Sequence, residues 1–506
     1  MSRVQNVIKN AKVGLFFTAI TFILGMYSRK VFLNELGPEF IGLTTTLLGI
    51  IGFLSLAEMG LSVAVSSTLY KPLAEKNYKK VCVTIDFLGK AYKFIGAGMV
   101  VLALIVALFL PYFFPGNEVS LRLVYFAYLA FIVTVVIEYV FNYRQIILSV
   151  DQKNYILILF RDGLNIVKVL LQLAVLSIGW GEYAWLAIGV MTSSVSIFLI
   201  NQYIKNHYQW LVKTNKKIKT LYGCSLDVIK KTKQLMVHKL SGFINGALSN
   251  ILIYKFSSLS MVAYIANYQI LLSVIPMLLS SVKTPLTATV GNYVSTRREF
   301  DRDLFYTVFF AFSVCSFIFS FFFYFLSSAF IYYWLGDEFI LNDVLVSILT
   351  LSLCIVVLRS FVDIYVLAYG IFDDVKSPFF EIAINVSVSL SMGYIYGVIG
   401  ILLGPLFSVL IIVLLWRPFW VFKKLHVKEY LNYLFKLLCF LCFLVLSIIF
   451  TKYIVGGIDI NGISASSMAI YFSSIVCSFI FAFSMYIIIN IFELKKLKTM
   501  MLKMAG

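Results

Sequence analysis

Apolar residues fill this chain in long stretches interrupted by short polar links, and the length of those stretches is its first message. Crossing about 30 Å of hydrocarbon at about 1.5 Å per residue takes about 20 residues of helix. Runs of that kind lie near residues 13–34, 40–70, 88–110, 121–148, 155–178, 183–204, 236–256, 259–282, 304–330, 344–369, 378–395, 398–416, 432–454 and 466–492. Ten-residue segments of alternating apolar and polar positions, the mark of a membrane barrel, are absent. The pattern predicts an all-α polytopic membrane protein with about 14 transmembrane helices.

Several runs also carry polar residues at helical spacing. In FRDGLNIVKVLLQLAVLSIGW, residues 160–180, Arg161, Asn165, Lys168 and Gln172 share one helix face. Burying an ammonium near a helix centre costs ~3 kcal/mol on insertion scales, so Lys168 needs water, a partner or a ligand. The first span aligns Thr18, Thr21, Gly25 and Arg29, the second Ser55, Glu58, Ser62 and Ser66, and the fourth Thr134, Glu138, Asn142 and Gln145. Further on, the seventh aligns His238, Ser241, Asn245 and Ser249, and the eighth carries Asn267 and Gln269. The tenth has Arg359 and Asp363 one turn apart, and the eleventh has Glu381, Asn385 and Ser389.

One such stripe alone reads as interhelical hydrogen bonding or a buried ion pair. Arg359 with Asp363, and Arg29 with Glu58, are expected pairs of that kind. Stripes on many helices can avoid lipid together only around a shared interior, so a water-filled cavity lined from both halves is expected. Its lining would include Arg161, Asn165, Gln172, Glu58, Ser62, Glu138, Asn142, Asn245, Asn267, Glu381 and Asn385. No acid stands one turn from Lys168 on its own helix, so Lys168 is expected to face something negative. Glu138 is the first acid to suspect if it is paired instead.

Composition and charge sharpen the picture. Of the 506 residues 61% are hydrophobic and 13% charged, about half the charged share of a soluble domain. The net charge of +18 would suit nucleic acid, but its placement argues otherwise. Lys and Arg crowd every second connection, most densely over 205–239, while the opposite connections are short and acidic, with Glu35, Glu39, Glu118, Glu182, Asp337, Glu338 and Asp343. That asymmetry is the positive-inside rule repeated loop after loop, and it places both termini in the cytoplasm. The basic stretch after the sixth span then faces anionic lipid headgroups rather than DNA.

The long connection over about 205–235 divides the spans into two sets of six. Each set opens with a helix pair joined by a very short link, LGPEFIGL in one and SSLSMVAY in the other. Each continues with a polar cluster, Thr44–Thr46 or Asn267 with Gln269, then a basic segment and a polar fifth helix. Two parallel repeats related by an axis along the membrane normal are expected. The expected organisation is a six-helix bundle over 1–215, a second over 216–430 opening on a basic linker at 216–235, and two additional helices with a basic tail over 431–506.

Other chemistries find little support. There is no Walker A motif and no GxGxxG, so nucleotide coupling is not expected. His207, His238 and His426 all fall in or near cytoplasmic segments, which offers no metal site and no embedded catalytic His. The seven cysteines avoid the external loops, so no disulfide framework is expected, and Cys439 with Cys442 reads as helix packing.

The stretch RKVFLNELGPEFIGLTTTLLGIIGFLSLAEMGLSVAVSSTLYKPLAEKN resembles the opening of bacterial polysaccharide repeat-unit flippases, which export O-antigen and capsule units. The match runs through Arg29, Leu36–Gly37, Gly42–Leu43, Ala57–Gly60 and Leu69–Leu73. NYQILLSVIPMLLSSVKTPLTATVGNYV is similar to the family's eighth helix, through Asn267, Tyr268, Gly291 and Asn292. FFEIAINVSVSLSMGYIYGVIGILLGPLFS resembles its eleventh and twelfth helices, through Glu381, Asn385, Gly397, Gly400 and Gly404. The resemblance implies the MATE-like fold of the multidrug/oligosaccharidyl-lipid/polysaccharide exporter superfamily, with two six-helix bundles. It implies an undecaprenyl-diphosphate-linked oligosaccharide as substrate, moved across the bacterial inner membrane by alternating access. Membrane lipids and other polysaccharide assembly proteins are the implied partners. A cationic interior for the diphosphate would draw on Lys168, Arg29 and Arg359.

The sequence therefore favours a flippase, which is not an enzyme, needs no cofactor and leaves proton or sodium coupling open. The alternatives are a cation- or proton-coupled drug exporter of the same fold, using Glu58 and Glu138, and a membrane saccharide polymerase or glycosyltransferase. The topology has a direct test. Single cysteines placed at Lys217 and Lys424 should be shielded from an impermeant thiol reagent in whole cells, while cysteines at Asn117 and Asn342 should react. The reverse pattern at either pair would overturn the fourteen-span arrangement.

Overall fold

The computed structural model describes residues 3–54, 61–116, 118–212, 246–297, 300–371, 374, 376–455 and 465–495, and among these there is helix but no strand. Eleven described helices are long and apolar enough to cross a membrane. The first of them, within α1 (Arg3–Leu54), runs through the first expected span and into the second as far as Leu54, and bends at Gly37, whose φ of 77° is a left-handed value that suits glycine. The fifth expected span forms α6 (Asn154–Ser177), but every stretch of it long enough to span includes Arg161, Asp162 and Lys168. The seventh is described only from residue 246 onward. The chain is an all-α, multi-pass membrane protein. Its internal contacts divide it into two compact units, Met1–Ala263 and Tyr264–Gly506.

In the first unit, α1 is followed by α2 (Leu61–Ala74), α3 (Tyr78–Phe113), α4 (Leu121–Phe141), a short turn of helix at Tyr143–Gln145, α5 (Ile146–Val150), α6, α7 (Gly181–His207) and α8 (246–256). Its core joins Val65 and Leu69 of α2 to Val81, Ile85 and Leu88 of α3, Ile147 of α5 and Ile200 and Ile204 of α7. Helix α1 lies along α6, with Phe17 against Gly163, and reaches α7 through Phe32 and Phe40, both edge-on to Trp185. Asn10 fastens the other end of that contact, donating to the Gln152 carbonyl and accepting from the Tyr155 amide. Just beyond α7, the Tyr208 hydroxyl donates to Asp151, which also pairs with Lys153 at 2.6 Å. Burial and the Asp151 carboxylate push the Tyr208 phenol well above its ordinary pKa, so it stays a donor.

Two of the acids in the short acidic links have structural work. Glu118 accepts from the Leu259 amide at 2.8 Å, and Glu39 accepts from the Ser260 hydroxyl at 2.9 Å. Together they place carboxylates at the N-terminus of α9 (Leu259–Arg297), where four backbone N–H groups lack helical partners and the dipole favours negative charge. The approach there is close, since a Cβ on Gly42 would collide with the Leu259 carbonyl.

The second unit contains most of α9, then α10 (Arg302–Trp334), α11 (Asp343–Ala368), α12 (Ser377–Tyr396), α13 (Val398–Val409), a π-helical segment at Leu410–Trp416, α14 (Arg417–Lys424), α15 (Tyr430–Val455) and α16 (Ala465–Ile489). Asp301 and Asn342 cap α10 and α11, accepting from Leu304 and Leu345 amides at 2.9 Å. Aromatic rings dominate the packing. Phe305 meets Phe361, Phe422 and Tyr433, while Phe317 stacks with Phe479 and Tyr486, which fixes the two last helices against α10. Cys439 and Cys442 are exposed on α15, contrary to the packing role expected of them, because the apolar face that α15 buries is that of Leu437, Phe440 and Leu444.

The Gly42 contact yields a stability test. Gly42→Leu forces a side chain into backbone, an overpacking that costs at least ~1–3 kcal/mol where nothing flexible can yield. Gly25 has open space around it, so Gly25→Ala should be neutral or slightly stabilising. Size-exclusion profiles of the solubilised variants should show loss of monodisperse protein for Gly42→Leu alone. Equal profiles would mean that α1 and the start of α9 are not closely packed.

Candidate functional site

Three helices of the first unit enclose a polar recess of about 280 Å³. Helix α4 supplies Thr134 and Glu138, and Asn142 stands at its C-cap, donating its backbone N–H to the Glu138 carbonyl. Helix α6 supplies Arg161, Asn165 and Lys168, and α7 supplies Thr192, Ser193 and Ser196. At roughly 30 Å³ per water, the recess has room for about nine waters or for a small anionic group.

Its electrostatics are one-sided. The Glu138 carboxylate is taken by Arg161 in an ion pair across α4 and α6. Lys168, the expected rival for Glu138, forms no hydrogen bond or ion pair with any described residue. One carboxylate thus faces two cations, and the cation left over is the deeper of the two along α6. Asn142 adds a second unsatisfied group: it is only 2% exposed, and its Oδ1 has no hydrogen-bond partner among the described residues. Buried polar atoms are rarely left so, because each costs ~1–3 kcal/mol. An ammonium, two amides and four hydroxyls around water-sized space suit a ligand that is negative and rich in hydroxyls.

Thr134, Glu138 and Asn142 therefore converge with Arg161, Asn165 and Lys168, as one wall meeting another. The hydroxyls of α7 were missed by the sequence reading. Their only signal was a Thr-Ser-Ser cluster in an apolar helix, and Thr192 hides it further by donating to the Ile188 carbonyl at 2.7 Å.

Other expected lining residues are placed elsewhere. Gln172, the last member of the α6 stripe, is 2% exposed and donates to the Trp185 carbonyl at 3.0 Å, so it ties α6 to α7 instead of facing the recess. Ser62 sits half-buried on α2, where its carbonyl accepts from Ser66. Arg29 reaches the Ala263 carbonyl at 3.4 Å. Asn267 is fully buried in α9. Glu58 and Asn245 lie outside the described residues, and with Glu58 the expected Arg29 pair.

The stripe on α12 is packing. Glu381 and Asn385 are 0% exposed, and Ser389 donates both to Asn385 Oδ1 and to the Ile401 carbonyl of α13. A Cβ on Gly404 would collide with Ser389, so α12 and α13 touch too closely there to line a lumen. The expected Arg359–Asp363 pair is present, but Asp363 is shared. Arg359 is 3.8 Å from Asp363, whereas Lys283 of α9 is at 2.7 Å and Arg417 of α14 at 3.5 Å. Arg417 lies 3.8 Å from Glu381 as well. Asp363 is the shared counter-ion of three cations from three helices.

No family model matches the sequence, and no curated relative matches it. Among solved structures the chain is similar to the lipid II flippase MurJ in an inward closed conformation, at 15% identity and a TM-score of 0.56, covering 94% of this chain and 99% of that one. It is similar to an outward-facing multidrug-resistance MATE transporter of the MOP superfamily, at 14% identity and 0.54, covering 84% and 97%. A Vibrio cholerae MATE transporter matches at 12% identity and 0.51, covering 82% and 98%. At these identities the likeness shows a shared fold.

Removing the carboxylate from the second unit's cluster should cost the fold. Asp363→Asn leaves Lys283 and Arg359 without their carboxylate, with Glu381 remaining beside Arg417 alone, and losing one partner of a buried pair costs ~3–5 kcal/mol, the lower end applying to side chains about a quarter exposed. Immunoblots of membranes should show a severalfold drop for Asp363→Asn and recovery in Asp363→Asn with Lys283→Met. Full abundance of the single variant would show that the cluster is not structural.

Proposed function

We propose that this protein is a flippase that moves undecaprenyl-diphosphate-linked oligosaccharide repeat units across the bacterial cytoplasmic membrane by alternating access, with both termini in the cytoplasm, for surface polysaccharide assembly. The observation that carries the reading is Lys168, an ammonium in a polar recess whose one carboxylate is already neutralised by Arg161. A diphosphate would compensate for lost hydration with charge-assisted hydrogen bonds from Lys168, and Asn165 and the α7 hydroxyls would meet sugar hydroxyls. Arg29, on the adjoining α1, lies outside the recess and reaches the Ala263 carbonyl, so it is a weaker second cation for the diphosphate. Arg359 has a weaker claim, being one of three cations around Asp363. The fold is shared with the lipid II flippase MurJ, which fits the same reading.

The fold is equally shared with MATE transporters, so a cation- or proton-coupled multidrug exporter is the competing reading. It requires an available carboxylate; among the described residues the recess offers Glu138 alone, which is bound to Arg161, and Glu58, the other acid of that reading, lies outside them. Lys168 separates the two. Lys168→Arg should keep most export, since guanidinium also binds phosphate oxygens. Lys168→Ala and Lys168→Glu should each lower surface-polysaccharide display more than tenfold, the scale of one hydrogen bond to a charged group, ~1.5–3 kcal/mol. The assay is display in cells lacking the native copy, with membrane abundance checked by immunoblot. Normal display by Lys168→Ala at normal abundance would end the diphosphate-binding role, and extrusion of a cationic dye dependent on Glu138 would favour the exporter.

A further inference from the structure

A second concavity lies in the first unit, next to the polar recess and sharing Ile197 with it. It is an open groove of about 700 Å³ between α3, the end of α4 and α7. Its chemistry differs from that of the recess. Three cations line it, Lys93, Arg144 and Lys205, and no acid does. None of the three is ion-paired to a described residue. Arg144 donates to the neighbouring Tyr143 hydroxyl at 3.3 Å, which steadies it without neutralising it. The remaining walls are mostly apolar and include Phe141 and Phe198, which are 57% and 66% exposed.

Cations near the ends of α4 and α7 also complement helix dipoles, and that role alone would explain Arg144 and Lys205. It does not explain why Lys93, in the middle of α3, joins them around one groove with aromatic walls. We propose that the groove holds an anionic glycerophospholipid of the phosphatidylglycerol type, its phosphate among Lys93, Arg144 and Lys205 and an acyl chain along Phe141 and Phe198. Basic pockets between membrane helices take headgroups in this way, and the positive-inside pattern puts this end of the helices at the leaflet richest in anionic lipid. A soluble anion would gain nothing from the aromatic walls, whereas a zwitterionic lipid would bring a cationic headgroup to a groove that has no acid to meet it.

The test is native mass spectrometry of the purified full chain in mixed micelles of phosphatidylglycerol and phosphatidylcholine. The wild-type protein should retain one phosphatidylglycerol in preference to phosphatidylcholine. Each neutralised cation should weaken retention about fivefold, so Lys93→Gln, Arg144→Gln and Lys205→Gln combined should weaken it about a hundredfold. A control that removes equal charge from exposed positions outside the groove, Lys71→Gln, Lys76→Gln and Lys79→Gln, should retain the lipid. Should the groove triple variant fold poorly, Gln202→Glu places one negative charge at the groove and should weaken retention by at least fivefold. The proposal is overturned if the folded groove variant keeps its lipid, if the control loses as much, or if inorganic phosphate at equal concentration displaces the lipid.

Discussion

A charged side chain within a membrane-spanning helix has to find an opposite charge, a backbone carbonyl, or water, because hydrocarbon supplies none of these. The described part of this protein is organised around meeting that demand. Arg161 meets Glu138, Arg29 meets the Ala263 carbonyl, and Lys283, Arg359 and Arg417 gather on Asp363. Each solution ties two or three helices together, so the same interactions that remove charge from lipid also hold the bundles in register. Lys168 is the cation of the recess that this accounting leaves over, and its position among hydroxyls and an unsatisfied amide is the reason the recess is the candidate site.

Around these fixed points the packing is done by two devices that suit a medium without a hydrophobic driving force between helices. Small residues let backbones approach, at Gly42 against Leu259 and at Gly404 against Ser389. Aromatic rings fill the wider gaps, and in the second unit the Phe317, Phe479 and Tyr486 stack anchors the last helix. Acids in the links do further work, with Glu39 and Glu118 holding the N-terminus of α9. Charge placement therefore serves topology and helix capping with the same residues.

Much of the site was legible from spacing. Residues four and three apart on α4 and α6 had to share a face, and the two faces do meet in one recess, with Lys168 at its wall. Spacing fails where a stripe has two possible neighbours. Gln172 continues the α6 stripe by periodicity, yet it bonds to Trp185 because α7 crosses α6 at that level. Glu381, Asn385 and Ser389 form an equally regular stripe, and close contact at Gly404 turns it into packing. The hydroxyls of α7 carried almost no signal, since Ser and Thr in a helix can satisfy themselves on the carbonyl one turn back.

The sequence by itself determined the all-α, multi-pass class, the expected orientation of the termini and the helix faces that must avoid lipid. Those follow from transfer free energies and helical periodicity, which act residue by residue or within one helix. Only the tertiary structure decided which polar face meets which. That choice depends on helix crossings and on competition among partners, as when Arg161 rather than Lys168 takes Glu138 and Lys283 approaches Asp363 more closely than Arg359 does. An ion pair between helices is a property of two segments brought together in space, and no pattern within either segment specifies it.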